Sequence, residues 1–183
     1  MKKQLICIIV CIYSLTASGQ ITKGNWMVGG NARFGKQQQQ LSGNDISSLM
    51  IQVSPNLGYF LADKFAVGLK PSFGYTRINN YGNYISKSTT FSIGPLVRYY
   101  FLPVDNRLNI LAESSYQYLS DFKGYSQNTF IFSAGPVIYF NSSVGIEFTL
   151  NYESIRASGT TTSTKTLFLG IGFQIHLEKE KNH

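Results

Sequence analysis

Few residues of this 183-residue chain are of the types that carry out catalysis, and their spacing does not support a catalytic site. The two histidines are His176 and His183, and no Gly-x-Ser-x-Gly or comparable nucleophile motif accompanies them. Glu147 and Glu153 are six residues apart, which is roughly 20 Å along a strand, so they cannot act together on one bond. No histidine–carboxylate cluster suggests a metal site. We therefore expect neither an enzyme nor a cofactor or metal centre.

The other candidate residues share one face of an alternating pattern. From Trp26 to Leu177, large apolar residues alternate with small or polar ones, and a period of two places successive side chains on opposite faces of a strand. In a closed membrane sheet the apolar face contacts lipid and the polar face lines a lumen. Six charged residues fall in the polar register, and we predict that they form a lumen charge network: Arg33, Lys70, Arg98, Glu113, Glu147 and Glu153.

The lumen of an eight-stranded barrel is only just wide enough for side chains to fill. Because an isolated buried charge is costly, the charges of this network are expected to pair as a closed, salt-bridged plug. An ion pathway through the lumen is the alternative. His176 shares the inward register and is interpreted as a hydrated residue beside Gln174 and Glu178 rather than as a catalytic base.

The alternation divides into eight segments and predicts an all-β fold, an eight-stranded antiparallel up-and-down transmembrane β-barrel. Each segment exceeds the ~9–11 residues that a tilted strand needs to cross a membrane. Long connections include residues 37–40, 79–87, 121–126 and 157–165, and short ones fall at 62–63, 103–106 and 141–143. We therefore expect short periplasmic turns and four longer external loops. The predicted strands are residues 24–34, 49–61, 64–76, 88–102, 107–119, 128–140, 144–155 and 166–177.

Aromatic residues of the apolar register fall at both ends of these strands. Beside the short turns lie Trp26, Tyr59, Phe65, Tyr99, Phe101 and Phe140, and beside the long connections lie Phe34, Tyr75, Phe91, Tyr116, Tyr118, Phe130 and Tyr152. Mostly aliphatic positions separate the two groups. Two aromatic girdles around an aliphatic band are typical of a membrane-spanning barrel. A general preference of aromatic residues for strands would not place them at both ends.

A proline-centred pattern recurs in three of the strands. It reads Pro55-x-x-x-Tyr59-Phe60, Pro95-x-x-x-Tyr99-Tyr100-Phe101 and Pro136-x-x-Tyr139-Phe140. These prolines and Pro71 lie inside predicted strands, where proline removes a donor from the hydrogen-bond ladder. We expect bulges or bends at these four positions.

The stretch from Pro55 to Leu69, Pro-Asn-Leu-Gly-Tyr-Phe-Leu-Ala-Asp-Lys-Phe-Ala-Val-Gly-Leu, resembles the small outer-membrane β-barrel proteins of the OmpA and OmpX type. The resemblance extends over the chain after its leader and implies an architecture rather than an activity. It also implies outer-membrane lipid and the barrel-insertion machinery as partners. Such barrels usually end on an aromatic residue, whereas here Leu177 is followed by the charged run Glu178-Lys-Glu-Lys-Asn-His183, so recognition by that machinery would use an internal signal.

Both termini are expected to lie outside the barrel domain, which we place at residues 20–178. Lys2 and Lys3 precede a short apolar run and small residues that end at Gly19, which is the pattern of a secretory signal peptide covering residues 1–19. Both cysteines, Cys7 and Cys11, lie in this leader, so no disulfide is expected in the mature chain. Residues 179–183 form a charged tail. The expected location is the outer membrane of a Gram-negative bacterium.

Two functional classes remain open. Removing Lys2 and Lys3 lowers the formal charge from +7 to +5, and the remaining cations are dispersed, which argues against nucleic-acid binding. The favoured function is a non-enzymatic envelope-structural or surface-contact role through the external loops, with a surface glycan or protein as the contact. The alternative is a narrow porin-like channel for ions or small solutes. A secreted lipocalin-like barrel would need its apolar face inside, which the continuous outward apolar band disfavours.

Overall fold

Ten β-segments make up most of the chain that the computed structural model describes, which is residues 21–41, 44–80, 83–120, 126–141, 143–159 and 162–177. The segments are β1 (Trp26–Leu41), β2 (Asn44–Ala62), β3 (Phe65–Leu69), β4 (Ser72–Asn80), β5 (Asn83–Ile93), β6 (Pro95–Tyr100), β7 (Leu108–Ser120), β8 (Ser126–Tyr139), β9 (Val144–Ala157) and β10 (Ser163–Leu177). Within the described ranges, no helix is long and apolar enough to cross a membrane. The predicted leader with Cys7 and Cys11, and the tail with Glu178 and His183, lie outside the described residues.

Antiparallel pairing closes these segments into a ring. β1 pairs with β2 on one side and with β10 on the other, so the first and last strands are neighbours. β3 and β4 both pair with β2 in a single register, and they form one wall strand that is interrupted at residues 70–71. β5 and β6 form another wall strand, interrupted at Gly94. The ten segments therefore make an eight-stranded antiparallel barrel, which confirms the predicted fold class.

The in-strand prolines interrupt the hydrogen-bond ladder without shifting it. Pro71 lies between β3 and β4, and Pro95 begins β6 directly after Gly94. Pro55 and Pro136 remain within β2 and β8, where pairing to the next strand lapses and then resumes in the same register. Of the bulges or bends expected at the prolines, the described pairings therefore show no bulge. The described register shifts lie elsewhere, in the β2–β3 and β4–β5 pairings.

Two of these prolines follow a glycine at which neighbouring backbones approach closely. A Cβ atom at Gly94 would lie 1.7 Å from the carbonyl oxygen of Tyr116, and one at Gly135 would lie 2.0 Å from that of Phe148. Only glycine fits such an approach. The ladder thus remains compact at the positions where proline removes a donor.

The strands extend beyond their predicted limits at the end with the longer connections. β1 continues to Leu41 and β2 begins at Asn44, and the two remain paired over this whole extension. β4 and β5 are paired in the same way up to Asn80 and Asn83. Much of the sequence expected to form loops is therefore paired ribbon that projects from the barrel. The connecting residues 42–43, 81–82, 121–125 and 160–161 lie outside the described residues.

At the opposite end the connections are held by local hydrogen bonds. The β2–β3 turn places Lys64 at a positive φ of 67°, and its backbone N–H donates to the carbonyl of Ile21. The Asn141 side-chain oxygen accepts from the backbone N–H groups of Ser143 and Val144 before β9 begins. These bonds fix short connections between strands that the register already holds in place.

The outer surface of the barrel carries the apolar register. All residues of the two predicted girdles are exposed or half-exposed on this face, and pairs within a girdle contact each other, as Trp26 and Tyr59 do at 5.1 Å between ring centroids. Phe73 and Phe132 are also exposed, so the band between the girdles is not purely aliphatic. The polar register faces inward and is largely buried. This inside-out distribution is typical of a barrel surrounded by lipid.

Candidate functional site

A cluster of four charged side chains lies inside the barrel. The Lys70 ammonium contacts Glu113 Oε1 at 2.5 Å, and the Arg98 guanidinium donates to Glu113 Oε2 from Nε at 2.8 Å. Arg98 Nη1 and Nη2 also donate to the two carboxylate oxygens of Glu147. All four side chains are buried. We call Lys70, Arg98, Glu113 and Glu147 the ion cluster.

Separate parts of the wall contribute the members of the ion cluster. Arg98 on β6 lies directly opposite Glu113 on β7, so strand register alone brings these two together. Glu147 reaches the guanidinium from β9, and Lys70 comes from the interruption between β3 and β4. A Cβ atom at Gly172 of β10 would lie only 3.2 Å from the Glu147 carboxylate, so glycine leaves room for this side chain. The cluster thereby links strands on different sides of the lumen.

The ion cluster is balanced in charge, with two cations and two carboxylates. Removing ions from water is expensive, and this cost is offset only if the attraction is strong and the remaining donors are bonded. Arg98 satisfies that condition, since Nη1 also donates to Tyr100 Oη and to Gln174 Oε1, both at 3.1 Å. The arrangement fixes side chains across the lumen and leaves this guanidinium engaged on several sides.

An apolar layer fills the lumen at the end with the short turns. Its centre is formed by Phe60, Tyr100 and Leu111, all fully buried. Ile21, which precedes β1, is 2% exposed and packs into the same layer. Backbone bonds hold this leading segment, including Gly24 N–H to the carbonyl of Phe60. The other members of the layer are Met27, Ala66, Leu96 and Val137, with Val104 and Tyr139 at its margin.

His176 belongs to this apolar layer. The prediction that it is a hydrated residue was therefore wrong. The ring is 1% exposed and contacts three aromatic side chains, with centroid distances of 5.5 Å to Phe60, 5.8 Å to Tyr100 and 5.6 Å to Tyr139. Its Nε2 atom lies 3.4 Å from the Tyr100 hydroxyl. Sequence alternation placed His176 inward, but it could not show that the neighbouring inward residues of other strands are aromatic.

The two remaining residues of the predicted network form a separate pair. Arg33 Nη1 lies 3.1 Å from Glu153 Oε2, and the guanidinium carbon lies 3.9 Å from the centroid of the Phe168 ring. The Arg33 side chain is 21% exposed, which distinguishes it from the buried ion cluster. The six predicted charges therefore all face inward, but the structure groups them as four and two.

A small polar cavity lies between this pair and the ion cluster. Its lining includes Arg33, Glu153, Lys70, Asn151 and Phe168. The space suffices for a water molecule and not for a larger solute. Serine and amide side chains from neighbouring strands bond to one another around it, including Ser54 to Ser72, Gln52 to Ser72 and Ser133 to Asn151.

Two lumen residues could have been found from the sequence. Tyr99, Tyr100 and Phe101 are consecutive, so a period of two requires the middle ring to face inward. Tyr59 and Phe60 pose the same choice, and the structure buries Phe60. Asn109 gave no such signal, yet its fully buried amide bonds to Leu102, Pro103 and Ile110 and organises the connection before β7.

The site's chemistry is that of paired opposite charges. In the part of the chain that the structure describes, no three His, Cys, Asp or Glu side chains are arranged to hold a metal ion. Glu147 and Glu153, which the sequence already separates, join different ion pairs.

Comparison with known proteins identifies the architecture. No family model matches the chain, and no curated protein matches it. Among solved structures, the outer-membrane protein OprG from Pseudomonas aeruginosa is 16% identical, with a TM-score of 0.56 over 88% of this chain and 100% of that one. The N-terminal β-barrel domain of Pseudomonas aeruginosa OprF is 13% identical over 85% of this chain and 98% of that one, with a TM-score of 0.48. Neisserial surface protein A is 19% identical over 82% and 96%, also with a TM-score of 0.48. The chain therefore has the fold of the small outer-membrane β-barrel proteins.

Proposed function

We propose that this protein is a non-enzymatic barrel of the bacterial outer membrane, with a closed lumen and a structural and display role in the envelope. The observation that carries the proposal is the ion cluster, in which Arg98 bridges Glu113 and Glu147 inside the barrel. A conducting lumen needs a continuous wet path, whereas these side chains are buried and bonded to each other.

The apolar layer supports the same proposal. Phe60, Tyr100 and Leu111 lie between the ion cluster and the short-turn end of the barrel, and Ile21 adds a further apolar side chain there. A hydrated ion would have to pass both an apolar and a salt-bridged layer. Desolvation opposes the first passage, and the second requires breaking buried ion pairs.

The projecting ribbons support a display role. We call the aromatic girdle beside the long connections, to which Phe34 belongs, the outer girdle. The β1–β2 hairpin is paired beyond it as far as Leu41 opposite Asn44, and its sequence there is rich in Gln, Ser and Asn. Such ribbons hold polar side chains clear of the lipid, where a surface glycan or another protein could contact them. The signal peptide predicted at residues 1–19 accounts for export across the inner membrane.

Single-channel recording in a planar bilayer tests the closed lumen. The protein is refolded without its leader, and folding is verified by the shift in gel mobility on heating. We expect no current steps from the wild type. The positive control is a triple variant, Phe60→Ala with Tyr100→Ala and Arg98→Ala, which removes two large rings and the centre of the ion cluster. This variant should conduct, and its current would show that the recording detects an open lumen.

Discrete steps from the folded wild type that change in size on Arg98→Lys substitution would contradict the proposal. They would establish the narrow channel instead. Protein that remains soluble without detergent after removal of the leader would contradict the membrane location itself.

A further inference from the structure

The barrel wall is incomplete where its first and last strands meet. β1 pairs with β10 from Trp26, opposite Leu177, up to Ala32, opposite Ile171. Beyond Ala32, the described part of β1 pairs with β2 alone, and β10 before Ile171 pairs with β9 alone. We call the gap between residues 33–36 of β1 and 167–170 of β10 the seam. It lies at the level of the outer girdle, since Phe34 belongs to that girdle.

Apolar side chains at the seam are unusually exposed. Leu169 is 83% exposed and Phe34 is 72% exposed, with Leu167 and Ile171 at 65% and 63%. On the rest of the described surface, Phe140 is the only large apolar residue above 53%. For Phe34, Leu167 and Leu169 the cause is the missing strand contact, because outward side chains of paired strands normally cover one another's flanks. Ile171 is paired, but with the small Ala32. The seam is therefore a groove in the wall with apolar sides.

The groove communicates with the interior. The polar cavity next to the ion cluster is lined by the outward-facing Ala32 as well as by the lumenal Asn151. Phe168 and Gly170 of β10 line the same cavity. The strand edges at the seam carry backbone N–H and C=O groups that the described pairings do not use. Backbone groups without hydrogen-bond partners are costly in hydrocarbon. A polar ligand at this depth would be stabilised because its hydrogen bonds to these groups remove that cost.

Cations stand directly beyond the apolar side chains on both sides of the seam. Lys36 follows Phe34 on the same face of β1, one step further from the membrane centre, and Lys165 has the same relation to Leu167 on β10. Each step is about 7 Å along a strand. Arg156 adds an exposed cation on β9. The outward faces of β1, β9 and β10 carry no acidic side chain among their described residues, since Glu147 and Glu153 face inward.

This combination selects one kind of occupant. The groove offers acyl chains an apolar surface, the cations offer charge-assisted hydrogen bonds to phosphate, and the free strand edges offer bonds to hydroxyl groups. We infer that the seam binds one phosphorylated glycolipid of the outer leaflet, with acyl chains on Phe34, Leu167 and Leu169 and a phosphate between Lys36 and Lys165. The inference rests on the proposed outer-membrane location, because only there does the barrel meet such a lipid.

Native mass spectrometry of the refolded barrel in a non-ionic detergent tests this inference. The probe is lipid A bearing two phosphates. We expect one tightly bound copy per barrel, and a loss of affinity of about tenfold or more in the Lys36→Gln, Lys165→Gln double variant. Lipid A without phosphates should bind the wild type as weakly as intact lipid A binds this variant. Inorganic phosphate alone should not displace the bound lipid.

The chain supplies a matched control away from the seam. Arg77 on β4 lies opposite Lys87 on β5, both are exposed at the same end of the barrel, and these two strands are paired with each other there. The Arg77→Gln, Lys87→Gln variant removes the same charge and should retain wild-type binding. Equal losses in the two double variants would overturn the inference, since diffuse attraction to a positive surface would then suffice. Equal binding of lipid A with and without phosphates would also overturn it.

Failure of the lipid site can be distinguished from failure of the proposed membrane location. Each variant is first checked for the heat-dependent gel shift and for insertion into vesicles. A barrel that inserts normally but binds no lipid A refutes the lipid site alone. A chain that does not insert refutes the membrane location on which the site depends.

Discussion

At the scale of single residues, the ion cluster depends on Glu113, a carboxylate that serves two cations. Glu113 accepts from both Lys70 and Arg98, whereas Glu153 serves only Arg33 among the described ion pairs. The sequence predicted that these residues face inward, because the period of two decides the face. It could not predict their grouping, which depends on which strands lie across the lumen from one another.

Replacing Glu113 should be far more damaging than replacing Glu153. Glu113→Gln leaves Lys70 and Arg98 buried with one carboxylate between them, and we expect a loss of roughly 3–5 kcal/mol in the free energy of unfolding. Glu153→Gln removes the partner of a guanidinium that is partly exposed and also stacked on Phe168, so its loss should be on the order of 1 kcal/mol or less.

Urea unfolding of the barrel in lipid vesicles, followed by the fluorescence of Trp26, measures both losses. Trp26 is the only tryptophan in the chain and lies on the lipid-facing surface. Similar losses for the two variants would mean that burial of the ion cluster does not determine its contribution.

At the scale of elements, the sequence predicted the strands well and their ends poorly. Alternation placed every wall strand, but it weakens in the segment rich in Gln and Ser, where β1 and β2 nevertheless remain paired to Leu41 and Asn44. A ribbon with both faces in water has no apolar face to contrast with a polar one. The period-two pattern therefore disappears where the strands leave the membrane. The prolines were recognised as a difficulty. Their accommodation required knowledge of the facing strand, including the close approach at Gly94.

Engineered disulfides should detect the seam. Residues 28 and 175 are opposite each other in the paired part of β1 and β10, and 34 and 169 would be opposite if pairing continued. Val28→Cys with Ile175→Cys should crosslink nearly completely under mild oxidation. Phe34→Cys with Leu169→Cys should crosslink poorly, because a disulfide requires Cα atoms within about 7 Å.

Both pairs face outward, and both occupy the same kind of position in the antiparallel hydrogen-bond pattern. The distance between the two strands is therefore the only intended difference between the pairs. The chain after Gly19 contains no cysteine, which keeps the background low. Gel mobility without reductant, after tryptic cleavage between the strands, reports the crosslinked fraction. Efficient crosslinking at 34 and 169 would show that the wall is closed there.

At the scale of the whole molecule, the two ends of the barrel are built differently. One end is sealed by the apolar layer and the short connections, and the other extends as paired polar ribbons. Their orientation follows from the length of the connections, with the ribbons expected outside the cell and the turns in the periplasm. The sequence sufficed for this prediction because connection length is visible in it directly.

Labelling of single cysteines in intact cells tests the orientation. Thr164→Cys lies on an exposed part of β10 at the ribbon end, and Asp105→Cys lies in the exposed connection between β6 and β7. A membrane-impermeant maleimide should label position 164 in intact cells, and position 105 only after the outer membrane is permeabilised. The reverse pattern would show that the barrel is inserted the other way round.

The short joint between β1 and β10 also has a kinetic consequence. Every other pair of wall strands joins segments that follow each other in the chain, and their registers form from local hairpins. The β1–β10 joint instead unites the two ends of the barrel through only seven residue pairs, from Trp26 to Ala32. It bears the largest loop-closure entropy, and its seven pairs are no more than β5 and β6 together make with β7, so it forms last in folding. The same joint is the first to open by local unfolding, and the barrel frays from the end with the longer connections.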